Sequence, residues 1–235
     1  GMLDLCTGTA APGSGRGANG TFPIVAWTAD GEATYGVEAI MLSAGTNVEW
    51  LRDDMGLIAT SAQSHDLASQ CADTDGVVYV PALFGLGTPK WDYGARGTLL
   101  GITRGTGRAH IVRAVLEGIA QRGADLVEAA EADTGLDIPT IRVDGGMSSN
   151  PTFVQALANA TGKSVEVSPV AEATTLGAGY LAGVAVGTWS HLDDVADSWA
   201  PAMVVDPSGT VDRDRWRQAV ERSARWIPDL SSLDF

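Results

Sequence analysis

The residues with most chemistry to offer lie in Arg142-Val-Asp-Gly-Gly-Met-Ser-Ser-Asn-Pro151, which leaves a strand through a paired-glycine turn and enters a helix. Ile141 and Val143 alternate as in a strand, Asp144-Gly145-Gly146 reads as the turn, and Asn150-Pro151 reads as an N-cap with proline at the first helical position. A backbone bared by glycines beside a helix start offers N–H groups that a nucleotide can approach closely, because no side chain blocks the way. Taken alone, the glycine pair is better read as an ordinary βα turn, since the chain holds 29 glycines. Its neighbours must decide.

Three further segments bring comparable chemistry. Leu5-Cys6-Thr7-Gly8-Thr9 sets small hydroxyl residues around a glycine at a strand end, which suits a phosphate or a simple turn. Ala44-Gly45-Thr46-Asn47-Val48-Glu49-Trp50 opens a helix. Thr46 and Glu49 have the spacing of a capping box, a sufficient role for Glu49; from spacing alone, a purine wall made by Gly45 and Glu49 is the weaker reading. The loop from Phe84 to Gly97 mixes aromatic, basic and glycine residues, and loops this long are often functional. Within it, an Asp92–Arg96 ion pair that holds the loop down is the favoured expectation. His65, His110 and His191 are scattered and suggest no metal cluster, with His110 read as a surface or capping residue. No serine or cysteine has a nucleophile's local context, and no Gly-x-x-x-x-Gly-Lys phosphate loop is present.

The elements that must position these groups follow from periodicity. Strands are expected at Leu3 to Cys6, Ile24 to Trp27 and near Tyr35 to Met41, with a flexible glycine-rich loop from Ala11 to Gly20. A helix begins near Thr46, and short strands fall at Val77 to Val80 and Thr98 to Ile102. A long helix spans about His110 to Glu131, its apolar face made by Ile111, Val115, Ile119 and Leu126. After the 141–143 strand and its helix come a strand at Val165 to Val167 and a helix near Thr175 to Val186. The small residues Gly177-Ala-Gly-Tyr-Leu-Ala-Gly183 of that last helix imply close packing on another backbone. Alternating strands and helices indicate an α/β fold, one domain over 1–235, with 191–235 a peripheral cap ending in a helix at about 213–226.

Composition narrows the partners. A net charge of −14 argues against nonspecific binding to nucleic acid or an anionic membrane. It leaves room for a nucleotide, since helix N-termini and backbone N–H groups receive phosphate locally. Two cysteines without a framework, no long apolar run and no signal-peptide pattern make a cytoplasmic location the expectation.

Together these segments resemble the C-terminal half of an FGGY-family carbohydrate kinase, the glycerol kinase branch most closely. Gly97-x-Leu99-x-Gly101-Ile102, followed seven residues later by His110-Ile111-x-x-Ala114-Val115-Leu116-Glu117, resembles the family's second pattern in full. The stretches at 44–53, 81–92, 142–146, 176–183 and 216–226 resemble it in the same order. The likeness implies an actin-like ATPase (ribonuclease-H-like) fold, a mixed sheet flanked by helices, and ATP with Mg2+ as cofactors. It implies that Gly8 and Thr9 meet the nucleotide's phosphates, that Gly45 and Glu49 lie near adenine and ribose, and that Gly145, Gly146, Met147 and Asn150 hold the base from the other side. No residue here is assigned as the general base. By the resemblance, that aspartate, most metal ligands and most polyol or sugar contacts belong to an N-terminal lobe absent from this chain, which alone is expected to be inactive. Family members are often homo-oligomers.

The chain departs from the family pattern at Glu49, where glutamine is usual, at Pro12, where an aromatic is usual, and at Ala10, the last position of Gly-Thr-Gly. These changes bear on glycerol as substrate rather than on the family. The alternative functional expectation is a stand-alone nucleotide-binding or inactive module without phosphotransfer; an actin-like assembly protein ranks last, because it leaves the 97–117 pattern unexplained.

Overall fold

A computed structural model describes residues 1–29 and 31–233. Strands β1 (Met2–Gly8), β2 (Phe22–Ala29) and β3 (Glu32–Ile40) form an antiparallel sheet with β3 in the centre. Leu3 and Leu5 turn towards the core while Met2, Asp4 and Cys6 face outward, the period of two seen in the sequence. β4 (Val78–Val80) pairs antiparallel with β5 (Thr98–Leu100). β6 (Thr140–Val143), β7 (Ser164–Val167) and β8 (Met203–Val205) make a mixed sheet, parallel between β6 and β7 and antiparallel between β7 and β8. The expected α/β architecture is present, its strands shared among these three sheets.

The spine is α3 (Arg108–Thr134), 27 residues long. His110 caps its start, its Nδ1 accepting the Gly107 N–H at 3.0 Å, and Gly135 ends it in the left-handed conformation. One side of α3 buries Val112, Val115 and Ile119 against Val48, Leu51 and Tyr79. Further along, Ala120, Val127 and Ala130 pack on Ile141, Val165 and on Val154 and Leu157 of α4 (Pro151–Thr161). The burial of these aliphatic side chains, each worth about 1.5–3 kcal/mol, fixes β6 and α4 beside the helix.

The chain after His191 enters the core further than a peripheral cap does. β8 completes the mixed sheet, and α7 (Arg213–Ser223) buries Trp216, 1% exposed, with Ala219 and Val220 against Val80, Leu86 and Ala95. The Trp216 indole N–H donates to the Asp125 carboxylate, which also meets Arg122 and Arg213, so α7 is keyed to α3 by charge as well as by packing. α6 (Leu192–Ser198) and α8 (Pro228–Ser231) are short connections.

Two expectations change. In α5 (Ala173–Ala185) a Cβ on Gly177 or Gly179 would meet nothing within 4 Å, while one on Gly183 would strike the Trp189 ring. Close approach therefore concerns one glycine and an aromatic ring rather than another backbone. The Asp92–Arg96 pair gives way to a different lock: Asp92 accepts from the N–H groups of Gly94, Ala95 and Arg225 and from the Ser231 hydroxyl. Arg96 instead donates to the carbonyls of Tyr93 and Ala95. Asp92 can be satisfied by N–H groups within its own turn and by the C-terminal segment, and that engages the buried carboxylate more fully than one guanidinium would. The glycine-rich loop is tied down at its far end, where Asp133 accepts from the backbone and side chains of both Asn19 and Thr21.

Candidate functional site

The turn after β6 is shaped by its glycines. Gly145 lies at φ 76° and ψ −179°, a region essentially closed to residues with a Cβ. Its N–H donates to the Ala171 carbonyl at 2.9 Å, and its own carbonyl accepts the N–H and hydroxyl of Ser148. A Cβ on Gly145 or Gly146 would meet nothing within 4 Å, so open space lies in front of both. A single 3-10 turn, Gly146–Ser149, then leads into α4.

Asn150 caps that helix as the sequence predicts, with Oδ1 accepting the Phe153 N–H at 3.1 Å. Its Nδ2 donates to Ser64 Oγ at 2.9 Å, and the residue is only 8% exposed. Both ends of the amide are thus engaged with protein.

Facing this turn is the start of α1 (Thr46–Glu49). Gly45 is the N-cap and makes no side-chain cap bond, so the Thr46–Glu49 capping box is not formed. The helix begins one residue earlier than that box requires, which makes Thr46 the first helical residue. Buried Asn47 holds the entry instead, its Nδ2 donating to the carbonyls of Ser43 and Ala44 while its Oδ1 accepts the Tyr79 hydroxyl at 2.9 Å. Burial pushes the Tyr79 hydroxyl's pKa upward, keeping it a donor. Glu49 is left exposed, and a π-helical turn, Trp50–Asp54, continues from it.

Gly45 and Met147 bring the two halves together: a Cβ on Gly45 would stand 3.9 Å from Met147 Cγ. Met147 and Phe153 rest on the same apolar cluster as Val48 and Leu51, so both halves share one floor. Gly8 and Thr9 sit at the end of β1, tied to the clasp through the cluster where Leu3 and Leu5 meet Ile141 and Val143. Gly8 has φ 93° and open space where a Cβ would be. β1 bulges between Cys6 and Gly8, and the hydroxyl of Thr7 within that bulge is buried without a hydrogen-bond partner.

Sequence reasoning missed Ser64, Asn47 and Tyr79, which hold the clasp from behind. A lone serine in a short helix gives no periodic signal, and its partner lies 86 positions away. Asn47 was more legible, since an asparagine inside the first turn of an apolar helix has to find partners for its amide. Among the described residues no three His, Cys, Asp or Glu side chains are grouped to hold a metal, and no helix is long and apolar enough to cross a membrane.

A three-dimensional likeness places these parts in the actin-like ATPase fold: the chain superposes on Plasmodium falciparum glycerol kinase, solved with ADP, at a TM-score of 0.83 and 33% identity, covering 94% of this chain and 45% of that one. Residues 6–186 match the model of the C-terminal domain of the FGGY family of carbohydrate kinases, and the chain belongs to that family. It is 42% identical to the glycerol kinase of Deinococcus radiodurans over 97% of this chain, and 48% identical to that of Bordetella parapertussis over 83%. It spans 46% and 39% of those two relatives' lengths.

Proposed function

We propose that this chain is the nucleotide-binding lobe of an ATP-dependent kinase that phosphorylates a hydroxyl of a polyol or sugar. The observation that carries the proposal is the open space in front of Gly145 and Gly146, beside the start of α1, in a fold shared with an ADP-bound relative. Adenine and ribose would lie in the open space before Gly145 and Gly146, with Gly45 and Glu49 on the α1 side and Met147 at the edge where the two sides meet. Asn150 would hold that second jaw in place rather than reach the base, because its amide is already engaged.

The phosphates would extend towards Gly8 and Thr9. Gly8 leaves its backbone open to close approach, and the orphaned Thr7 hydroxyl beside it supplies a donor in want of an acceptor. ATP, when bound, supplies the phosphoryl group. The residues of this chain orient it and keep the base end fixed, a contribution of position rather than of proton transfer. Mg2+ would arrive with the phosphates, and its remaining ligands and the general base would come from outside these residues.

The complete gene product, assayed with ATP against glycerol and four- and five-carbon polyols and sugars, tests the reading. Transfer of phosphate to one of them is expected; binding of ATP without transfer to any would favour a nucleotide-binding module instead.

A further inference from the structure

Between the two jaws runs a chain of hydrogen bonds through the segment from Arg52 to Ser64. Arg52, in the π-helical turn that continues α1, donates from Nη1 to Ser61 Oγ at 3.2 Å. Ser64, the second residue of α2 (Gln63–Ala68), donates its hydroxyl to the Ser61 carbonyl at 2.6 Å and accepts Asn150 Nδ2 at 2.9 Å. Asn150 in turn caps α4. One residue on, His65 Nδ1 and Thr152 Oγ1 lie 2.8 Å apart, a second tie between α2 and the start of α4.

The brace is itself anchored. Leu67 and Ala68, on the apolar side of α2, are buried in the cluster on which Met147 and Phe153 rest. Arg113 of α3 holds the far end, donating to the carbonyls of Ala68 and Cys71. Ser64 is fully buried, so its hydroxyl has no water to fall back on.

We propose that Ser64 is a positioning residue for the nucleotide: α2 braces the Gly145–Asn150 jaw against the α1 jaw, and the Ser64–Asn150 bond sets their separation. The inference rests on the nucleotide reading above. Without that bond Asn150 is held only by its cap on the Phe153 N–H, and the turn carrying Gly146 and Met147 loses a stop. The base end of the ligand should feel this, and the phosphate end should not, because Gly8 ends β1 and Thr9 follows directly on it.

The test is calorimetric titration of the full 235-residue chain with ADP and, separately, with inorganic pyrophosphate. Ser64→Ala, which removes the bond from Asn150 together with the Ser64 bond to the Ser61 carbonyl, is expected to weaken ADP about five- to tenfold, with pyrophosphate unchanged. Ser64→Thr, which keeps the hydroxyl, is expected to retain most ADP affinity. In Asn150→Ala the added Ser64→Ala change is expected to have no further effect on ADP, because the bond is already gone. Equal ADP affinity in the unaltered chain and Ser64→Ala, equal losses for ADP and pyrophosphate, or additive losses in the double variant would each overturn the proposal while leaving the nucleotide reading intact. Absence of any ADP heat from the unaltered chain would overturn both.

Discussion

Gly45 and Met147 face each other so closely that a Cβ on the glycine would stand 3.9 Å from the methionine Cγ. The two residues lie on elements about a hundred positions apart, and their approach defines the mouth of the clasp. A larger side chain at Gly146 would fill that mouth without straining the backbone, since nothing lies within 4 Å of its Cβ position. Gly146→Leu is therefore expected to fold with a melting temperature near that of the unaltered chain and to bind ADP at least tenfold more weakly. Thermal unfolding and calorimetry on the same sample check both halves.

Gly145 behaves differently. Its φ of 76° and ψ near 180° admit only glycine comfortably, so Gly145→Ala should destabilise the fold by about 1–3 kcal/mol. Denaturant unfolding should show a lower midpoint with an unchanged slope; an unaltered midpoint would mean that the turn adapts freely.

The carboxylates that lock the loops set a pH dependence. Burial pushes Asp92 and Asp133 upward, but their hydrogen bonds from N–H and hydroxyl donors outweigh it, and both are held below the ordinary carboxyl value of 3.8. A carboxyl whose folded pKa lies below its unfolded one stabilises the protein above the unfolded value and loses that contribution as pH falls through the folded one. The melting temperature should therefore fall steeply below about pH 4, and Asp92→Asn should flatten the fall while lowering stability at pH 7. A pH series of melting curves measures this, and parallel curves for the two proteins would contradict it.

Asp4 and Glu38 make the opposite case, standing directly across from each other on β1 and β3. Burial raises both carboxyls, and the Asp4 charge raises Glu38 further. The raised folded values mean that this pair favours the folded state at low pH and that the benefit disappears as pH rises through them. Like charges facing across strands destabilise by about 0.2–1 kcal/mol, so Asp4→Asn should stabilise the chain by that order at pH 7 and have little effect near pH 3. Stability curves at the two pH values decide it.

Much of the fold was legible in the sequence because its signals are local. Asn150-Pro151 marks the start of α4, and the cap forms as read, while Gly162 ends the helix in the left-handed conformation. The long apolar stripe from Ile111 to Leu126 located α3 to within a few residues at each end. What stayed hidden depended on distant partners. Asp92 chose Arg225 and Ser231 over nearby Arg96, and Trp216 found the core only because β4 and the 81–97 loop provide a floor for it. Of the candidate site, the glycine positions could be read from backbone chemistry, whereas the brace through Ser64 could not, since no spacing announces a bond between residues 86 positions apart.

The central claim is that the clasp holds a nucleotide. Calorimetric titration of the unaltered chain and of Gly146→Leu with ADP tests it most directly. Saturable heat in the unaltered chain, at least tenfold weaker in the variant, is the predicted result; no heat at millimolar ADP, or equal affinity in the two proteins, would contradict it.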